Sequence, residues 1–280
     1  MEQPVNERYK NGSKGSCADI NGDADPDIDD TKRKADGPIT AAVVLAAGKG
    51  ERFGRRKQFE LIDGMTLVDR VVATAQHVCD HVILVLPADY QPEPDGAEFD
   101  WGNGSLHRVV RGGGSHGASA WNGLSEVPDE VDIVLLASAS HPLVGPDLFR
   151  RTIQAVVDGA DAAAPMALLA DAVKQHDGRR VVRSVPKANL AMVQSPCAFD
   201  RSMLVKAYQR LMADDAPLPP EELEMIERFG GAIVLVDGEP TNIHVTSPTD
   251  LEMARRLADL VPNHTAVEHK RRSSEPADPA

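Results

Sequence analysis

At 280 residues with a formal charge of −13, the chain can bury a sizeable core as one large domain or two small ones. It is too acidic overall to track a nucleic-acid backbone or an anionic membrane. Its three cysteines, Cys17, Cys79 and Cys197, are too far apart for a disulfide framework or a zinc pattern, which points to a reducing cytoplasm. No apolar run reaches membrane-spanning length and the polar N-terminus has no signal-peptide core, so neither nucleic acid nor membrane is an expected partner.

Residues 1–38 hold almost no large apolar side chains and are dense in Asp, Asn, Gly and Lys, so they are expected to form a disordered acidic tail. The run Asp19 to Asp25 has the look of a calcium loop, but glycine is missing at its sixth position and Pro26 sits where an extended apolar residue is needed. A solvated tail is the simpler reading. After Pro262 the chain is again polar, with His269-Lys270-Arg271-Arg272, and 262–280 is expected to be a second flexible tail.

From 39 to 261 strand-like apolar runs alternate with helical periodicity. That rhythm predicts an α/β domain with a Rossmann-like, mostly parallel sheet and helices on both faces. Expected strands are 41–46, 81–86, 107–110, 131–137, 161–166 and 232–236; expected helices are 66–78, 116–126, 146–158, 200–212, 220–229 and 248–260. Thr66 with Asp69 three residues on forms a capping pattern, and Pro248 suits the first turn of the last helix behind Thr246 or Ser247.

The first strand ends in Ala46-Ala47-Gly48-Lys49-Gly50, followed by Arg52 and Lys57. Small residues let backbone N–H groups converge on a polyanion, and fixed cations beyond the glycines can meet the rest of its charge, so this loop is expected to hold phosphates. It is neither a P-loop nor a dinucleotide fingerprint, since the lysine-serine/threonine ending and a third glycine are both missing. The bland alternative is a tight strand-to-helix turn with solvated cations. A second loop, Arg111-Gly112-Gly113-Gly114-Ser115-His116-Gly117-Ala118-Ser119, follows a short strand and opens a helix at the same sheet edge. Here Ser119 could equally be a first-turn hydroxyl. Farther on, Val173–His176 and Arg179–Arg183 flank Asp177-Gly178, a hairpin signal that predicts a polar two-stranded arm at about 171–190.

Leu45-Ala46-Ala47-Gly48-x-Gly50-x-Arg52, closed by Lys57-Gln58-Phe59, resembles the signature loop of the 2-C-methyl-D-erythritol 4-phosphate cytidylyltransferase family, within the nucleotidyltransferases. The resemblance extends over 39–261. It implies transfer of CMP from CTP to a polyol or sugar phosphate, with pyrophosphate released, in isoprenoid precursor synthesis. It implies Mg2+ with CTP, and a homodimer whose arm completes a partner's site. By the same resemblance Ala46, Ala47, Gly48, Lys49, Gly50, Gly113 and Ser119 bind the nucleotide, with Ser119 on the cytosine. Arg52 and Lys57 stabilise the α-phosphate and leaving group, Lys187 and His244 orient the incoming phosphate, and His141 and Ser195 bind the acceptor.

The family pattern is not kept everywhere. His116 replaces an arginine in the second loop. In Ala137-Ser138-Ala139-Ser140-His141-Pro142, Ser138 stands for a metal-linked aspartate and His141 for an arginine; in Thr241-Asn242-Ile243-His244-Val245-Thr246, Thr241 stands for an aspartate and His244 for a lysine. Ala172, Lys187 and Ser195 stand for threonine, arginine and threonine. Metal ligands therefore stay unassigned. Two alternatives remain open: a non-catalytic nucleotide-binding paralogue, and a cytidylyltransferase with another phosphate acceptor.

Overall fold

The computed structural model describes residues 37–90 and 106–261; the two expected tails, apart from Gly37 and Pro38, lie outside the described residues, as does the run at 19–25. In chain order the strands are β1 (Thr40–Leu45), β2 (Leu61–Ile62), β3 (Met65–Thr66), β4 (His81–Leu86), β5 (Leu106–Arg111), β6 (Ile133–Ser138), β7 (Ala162–Leu168), β8 (Val173–His176), β9 (Val181–Val185), β10 (Ala191–Val193), β11 (Cys197–Asp200) and β12 (Ile233–Asp237). The helices are α1 (Leu67–Val78), α2 (His116–Leu124), α3 (Pro146–Val157), α4 (Arg201–Ala213), α5 (Glu222–Arg228) and α6 (Pro248–Ala258), with a 3₁₀ turn at Lys57–Phe59.

The central sheet runs β10-β7-β11-β6-β1-β4-β5, with β12 also paired to β7. β1, β4, β5 and β6 are mutually parallel neighbours, as are β7 and β12, while β11 lies antiparallel between β6 and β7. A strand covered on both faces needs apolar residues at every position. β1 meets that need: Ala42 and Val44 pack with Val68, Val71, Leu148 and Phe149 of α1 and α3, while Ala41 and Val43 pack with Leu124, Leu204, Tyr208 and Ile226 of α2, α4 and α5. A third cluster, with Phe53, Ile62, Leu67, Leu143, Val245 and Leu251, seats α6 against the loops beyond the sheet edge.

Each expected strand and helix forms within a few residues of its predicted bounds. The expected capping box of Thr66 with Asp69 forms, and Ser247, one of the two caps expected ahead of Pro248, caps the last helix in a second box with Asp250. Sequence periodicity does not find β2, β3, β10 or β11, which are two to four residues long. The arm exists as β8 and β9, but its turn differs from expectation. Asp177 does not take the positive φ that a two-residue type I′ turn requires; the link is instead the four residues 177–180, closed by Asp177 N–H donating to Arg180 O, with a register shift at Gln175/His176. The Asp-Gly pair with φ positive at both residues is Asp63 (50°) and Gly64 (78°), joining β2 to β3.

α2 approaches the sheet so closely that a Cβ at Gly123 would lie 2.4 Å from Val43 Cγ1 and 2.7 Å from Val85 Cγ2. Gly123→Ala therefore destabilises by about 1–3 kcal/mol through overpacking, despite the better helix propensity of alanine. Gly114→Ala, with no atom within 4 Å of the added methyl, stays within about 0.5 kcal/mol. Urea unfolding of the two variants checks the contrast.

Candidate active site

The loops after β1, β4, β5 and β6 leave the sheet at one edge, the carboxyl end of its parallel strands, where open α/β sheets bind ligands. Backbone bonds continue between strands past their ends and hold these loops together: Ala46 N–H to Val85 O (2.8 Å), Ala139 N–H to Leu45 O (3.0 Å) and Gly112 N–H to Leu86 O (2.7 Å).

The first loop folds back on itself around Gly50. Its φ is +70°, it accepts from the N–H groups of Phe53 (2.9 Å) and Gly54 (2.8 Å), and a Cβ there would sit 1.8 Å from Arg55 O. Only glycine satisfies both the conformation and the approach. Gln58, buried in the 3₁₀ turn, donates to Gly48 O (3.0 Å) and closes the loop from below. The second loop lies against the first: a Cβ on Gly112 would fall 2.3 Å from Ala47 Cβ. Ser119, also buried, accepts from Gly113 N–H (3.0 Å) and donates to Ser115 O (2.8 Å). A hydroxyl has one donor and two lone pairs, so these two bonds leave one lone pair of Ser119 to accept a further hydrogen bond.

Four nitrogen-bearing side chains from three distant stretches converge beyond these loops. Lys57 reaches across to donate to Val245 O (2.6 Å). The rings of His141 and His244 stack with centroids 4.7 Å apart and planes 19° from parallel. Arg52, exposed at the mouth, lies close enough to act on both Lys57 and His244. Burial, aided by Arg52, pushes the Lys57 ammonium down to about 8, against the pull of Asp250. His141 is 7% exposed, and burial, then His244 and Lys57, push it down to about 3; His244 is lowered too, chiefly by burial and then by Lys57 and Arg52. Asp250 is already engaged, its carboxylate accepting from Thr246 Oγ1 (2.7 Å), Thr246 N–H (2.9 Å) and Ser247 N–H (2.8 Å), which hold it down at about 2. The mouth is therefore short of compensating negative charge, as an anion site requires.

A brace stands behind the mouth. Ser195 Oγ accepts from Ser138 N–H (2.8 Å), Ser138 Oγ accepts from Ser140 N–H (3.2 Å), and Ser140 O accepts from Val245 N–H (2.8 Å). Asn242 donates to Ser195 O (2.8 Å), and Gln194 donates to the carbonyls of Glu239 (2.8 Å) and Asn242 (3.2 Å).

The model of the 2-C-methyl-D-erythritol 4-phosphate cytidylyltransferase family matches residues 40–259. The chain belongs to this family. Relatives of that name from Corynebacterium efficiens and Streptomyces avermitilis are 32% and 34% identical, over 78% and 82% of this chain and 92% and 98% of theirs. The crystal structure of the Thermus thermophilus 2-C-methyl-D-erythritol 4-phosphate cytidylyltransferase superposes with a TM-score of 0.66 at 25% identity, covering 79% of this chain and 99% of that one. Membership makes the chain a nucleotidyltransferase of the cytidylyltransferase type.

Of the residues expected to serve this family's chemistry, Ala46, Ala47, Gly48, Gly50, Gly113 and Ser119 line the paired loops, and Arg52, Lys57, His141 and His244 share the mouth. Lys49 is exposed and faces Asp89. Ser195 is part of the brace through its hydroxyl. Lys187 stands apart: it is exposed, donates to Ala170 O at the base of the arm, and is not among the charges acting on Lys57, His141 or His244. His116, in place of the family arginine, turns to Glu222 (3.2 Å), a buried carboxylate that also accepts from Tyr208 OH (2.9 Å), and this contact raises its pKa. Gln58, Asn242, Gln194 and Asp250 are site residues that side-chain chemistry alone did not single out. Gln58 and Asn242 stood only inside the quoted family motifs, and Asp250 carried a local signal as third residue after the cap Ser247.

Because Lys57 loses its charge near pH 8 in the free protein, CTP affinity falls as pH rises from about 7 to about 9. Lys57→Arg keeps its charge throughout and flattens that dependence. Calorimetric titration of CTP across this range decides it, and a wild-type profile as flat as the variant's contradicts the assignment.

Proposed function

We propose that this chain transfers CMP from CTP to 2-C-methyl-D-erythritol 4-phosphate, releasing pyrophosphate. The observation that carries the reading is the convergence of Arg52, Lys57, His141 and His244 beside two interlocked glycine loops at one sheet edge. The acceptor's phosphate oxygen attacks the α-phosphorus of CTP, an O–P bond forms and the bond to pyrophosphate breaks. The nucleophile is ionised at neutral pH, so no general base is needed, and catalysis rests on positioning and charge neutralisation. Ala46 to Gly50 hold the triphosphate, Gly113 and Ser119 the cytosine, and Arg52 and Lys57 the charge on the α-phosphate and leaving group. His141, His244 and the Ser195 brace shape the acceptor side.

Mg2+ is the divalent cation expected with CTP. Ser138 and Thr241 offer hydroxyls where carboxylates would bind it, and Ser138 Oγ already accepts from Ser140 N–H. Among the described residues no group of three or more His, Cys, Asp or Glu gathers to hold a metal. The protein donors thus do not fit a carboxylate-built Mg2+ site.

A homodimer fits the exposed apolar residues at one end of the sheet and on the arm: Leu168, Met192 and Val193 with Val181 and Val182. In it Lys187 would serve the partner's site rather than its own. The expected cytoplasmic location accords with free Cys79 and Cys197 and with the lack, among the described residues, of a helix long and apolar enough to cross a membrane.

Pyrophosphate release from CTP over a panel of polyol phosphates tests the reading. Turnover with 2-C-methyl-D-erythritol 4-phosphate is expected, and Arg52→Ala lowers kcat/KM about 10²-fold or more. Turnover with a different acceptor alone would move the substrate assignment. CTP binding without turnover on any of them would favour the non-catalytic paralogue suggested by Ser138 and Thr241.

A further inference from the structure

The mouth of the site carries two imidazoles where the family pattern carries two fixed cations. His141, on the loop after β6, is buried, and its Nδ1 has no hydrogen-bond partner. His244, from the segment before α6, covers it in the stack and is itself exposed. The charged groups facing the pair come from every side. Lys57 approaches from the 3₁₀ turn and Arg52 from the first loop, while Asp250 of α6 is spent on Thr246 and Ser247. Arg70 of α1 donates to Pro142 O (3.2 Å) beneath the His141 loop. With Lys57 and Arg52 acting on the pair and Asp250 occupied, the free pair is neutral and the pocket holds an unused hydrogen-bonding nitrogen.

A phosphate monoester changes that balance, since its dianion brings the negative charge that the pair lacks. We infer that the His141–His244 stack takes up one proton from solvent when the acceptor's phosphate docks, which makes acceptor binding proton-linked. This rests on the cytidylyltransferase reading above. The proton goes to His244, the ring open to solvent, forming an N–H bond on its free nitrogen. His141 stays neutral because two imidazolium rings 4.7 Å apart would repel. The pair thus matches one charge to one phosphate, where an arginine and a lysine would hold two charges permanently.

The test is calorimetric titration of 2-C-methyl-D-erythritol 4-phosphate into protein saturated with a non-reacting CTP analogue, in buffers of different ionisation enthalpy at about pH 7.5. Saturation with the analogue engages Lys57 beforehand. Uptake of about one proton is expected, with acceptor KM rising about tenfold per pH unit above neutrality. His244→Lys supplies a fixed charge, so the acceptor still binds while uptake disappears; His141→Arg serves as a second variant with the same expectation. Binding by wild type without proton uptake overturns the inference and leaves the cytidylyltransferase reading intact. Uptake that persists in both variants places the proton on the phosphate and also overturns it. Neither acceptor binding nor turnover with any polyol phosphate overturns both.

Discussion

The contact on which the site depends is the Lys57 ammonium reaching the Val245 carbonyl. It joins residues 188 positions apart and brings the loop after the first strand to the segment ahead of the last helix. The ammonium is partly desolvated there, which lowers its pKa and, in a low-dielectric setting, strengthens its pull on an anion. Val245 is held from its other side by Ser140, so the same tie draws in the loop that carries His141. One cation thereby fixes the relative positions of three loops from distant parts of the chain.

Around that tie, the side built from the two glycine loops and the side that carries the histidine pair rest on different principles. The glycine-loop side is backbone: glycines that bring main-chain atoms within contact, with Gln58 and Ser119 satisfying the polar groups that the tight turns would otherwise strand. Such a site tolerates little change, because a methyl on Gly50 or Gly112 would overlap a neighbour. The histidine side is side chain on side chain, with a hydroxyl and amide brace through Ser138, Ser195, Gln194 and Asn242 behind the stacked pair. Side-chain sites can exchange residue types while the frame stays.

The parts written in local periodicity could be read before the fold was known. After their first residues β1 and β4 are uninterrupted apolar runs because both their faces are covered, α1 announces itself by the Thr66–Asp69 capping pattern, and α6 by Pro248 in its first turn behind a hydroxyl cap. β11 could not be read that way: its four residues find their partners in β6 and β7 through long-range pairing, with no alternation of their own. The Asp-Gly signal pointed to the arm, yet the tight two-residue turn forms at Asp63-Gly64, between strands too short to register as strands. In the site, the loop residues followed from glycine spacing and charge. The stacking of His141 on His244 spans 103 positions and leaves no local trace, and His116 pairs with Glu222 for the same reason.

The reading proposed above places CTP across the two interlocked loops. Amide chemical shifts recorded during a CTP titration test it directly. The largest shifts are expected at Ala47 to Gly50, Gly112 to Gly114 and Ser119, with smaller ones at Lys57 and Val245. Shifts confined to other regions, or none at saturating CTP, would contradict it.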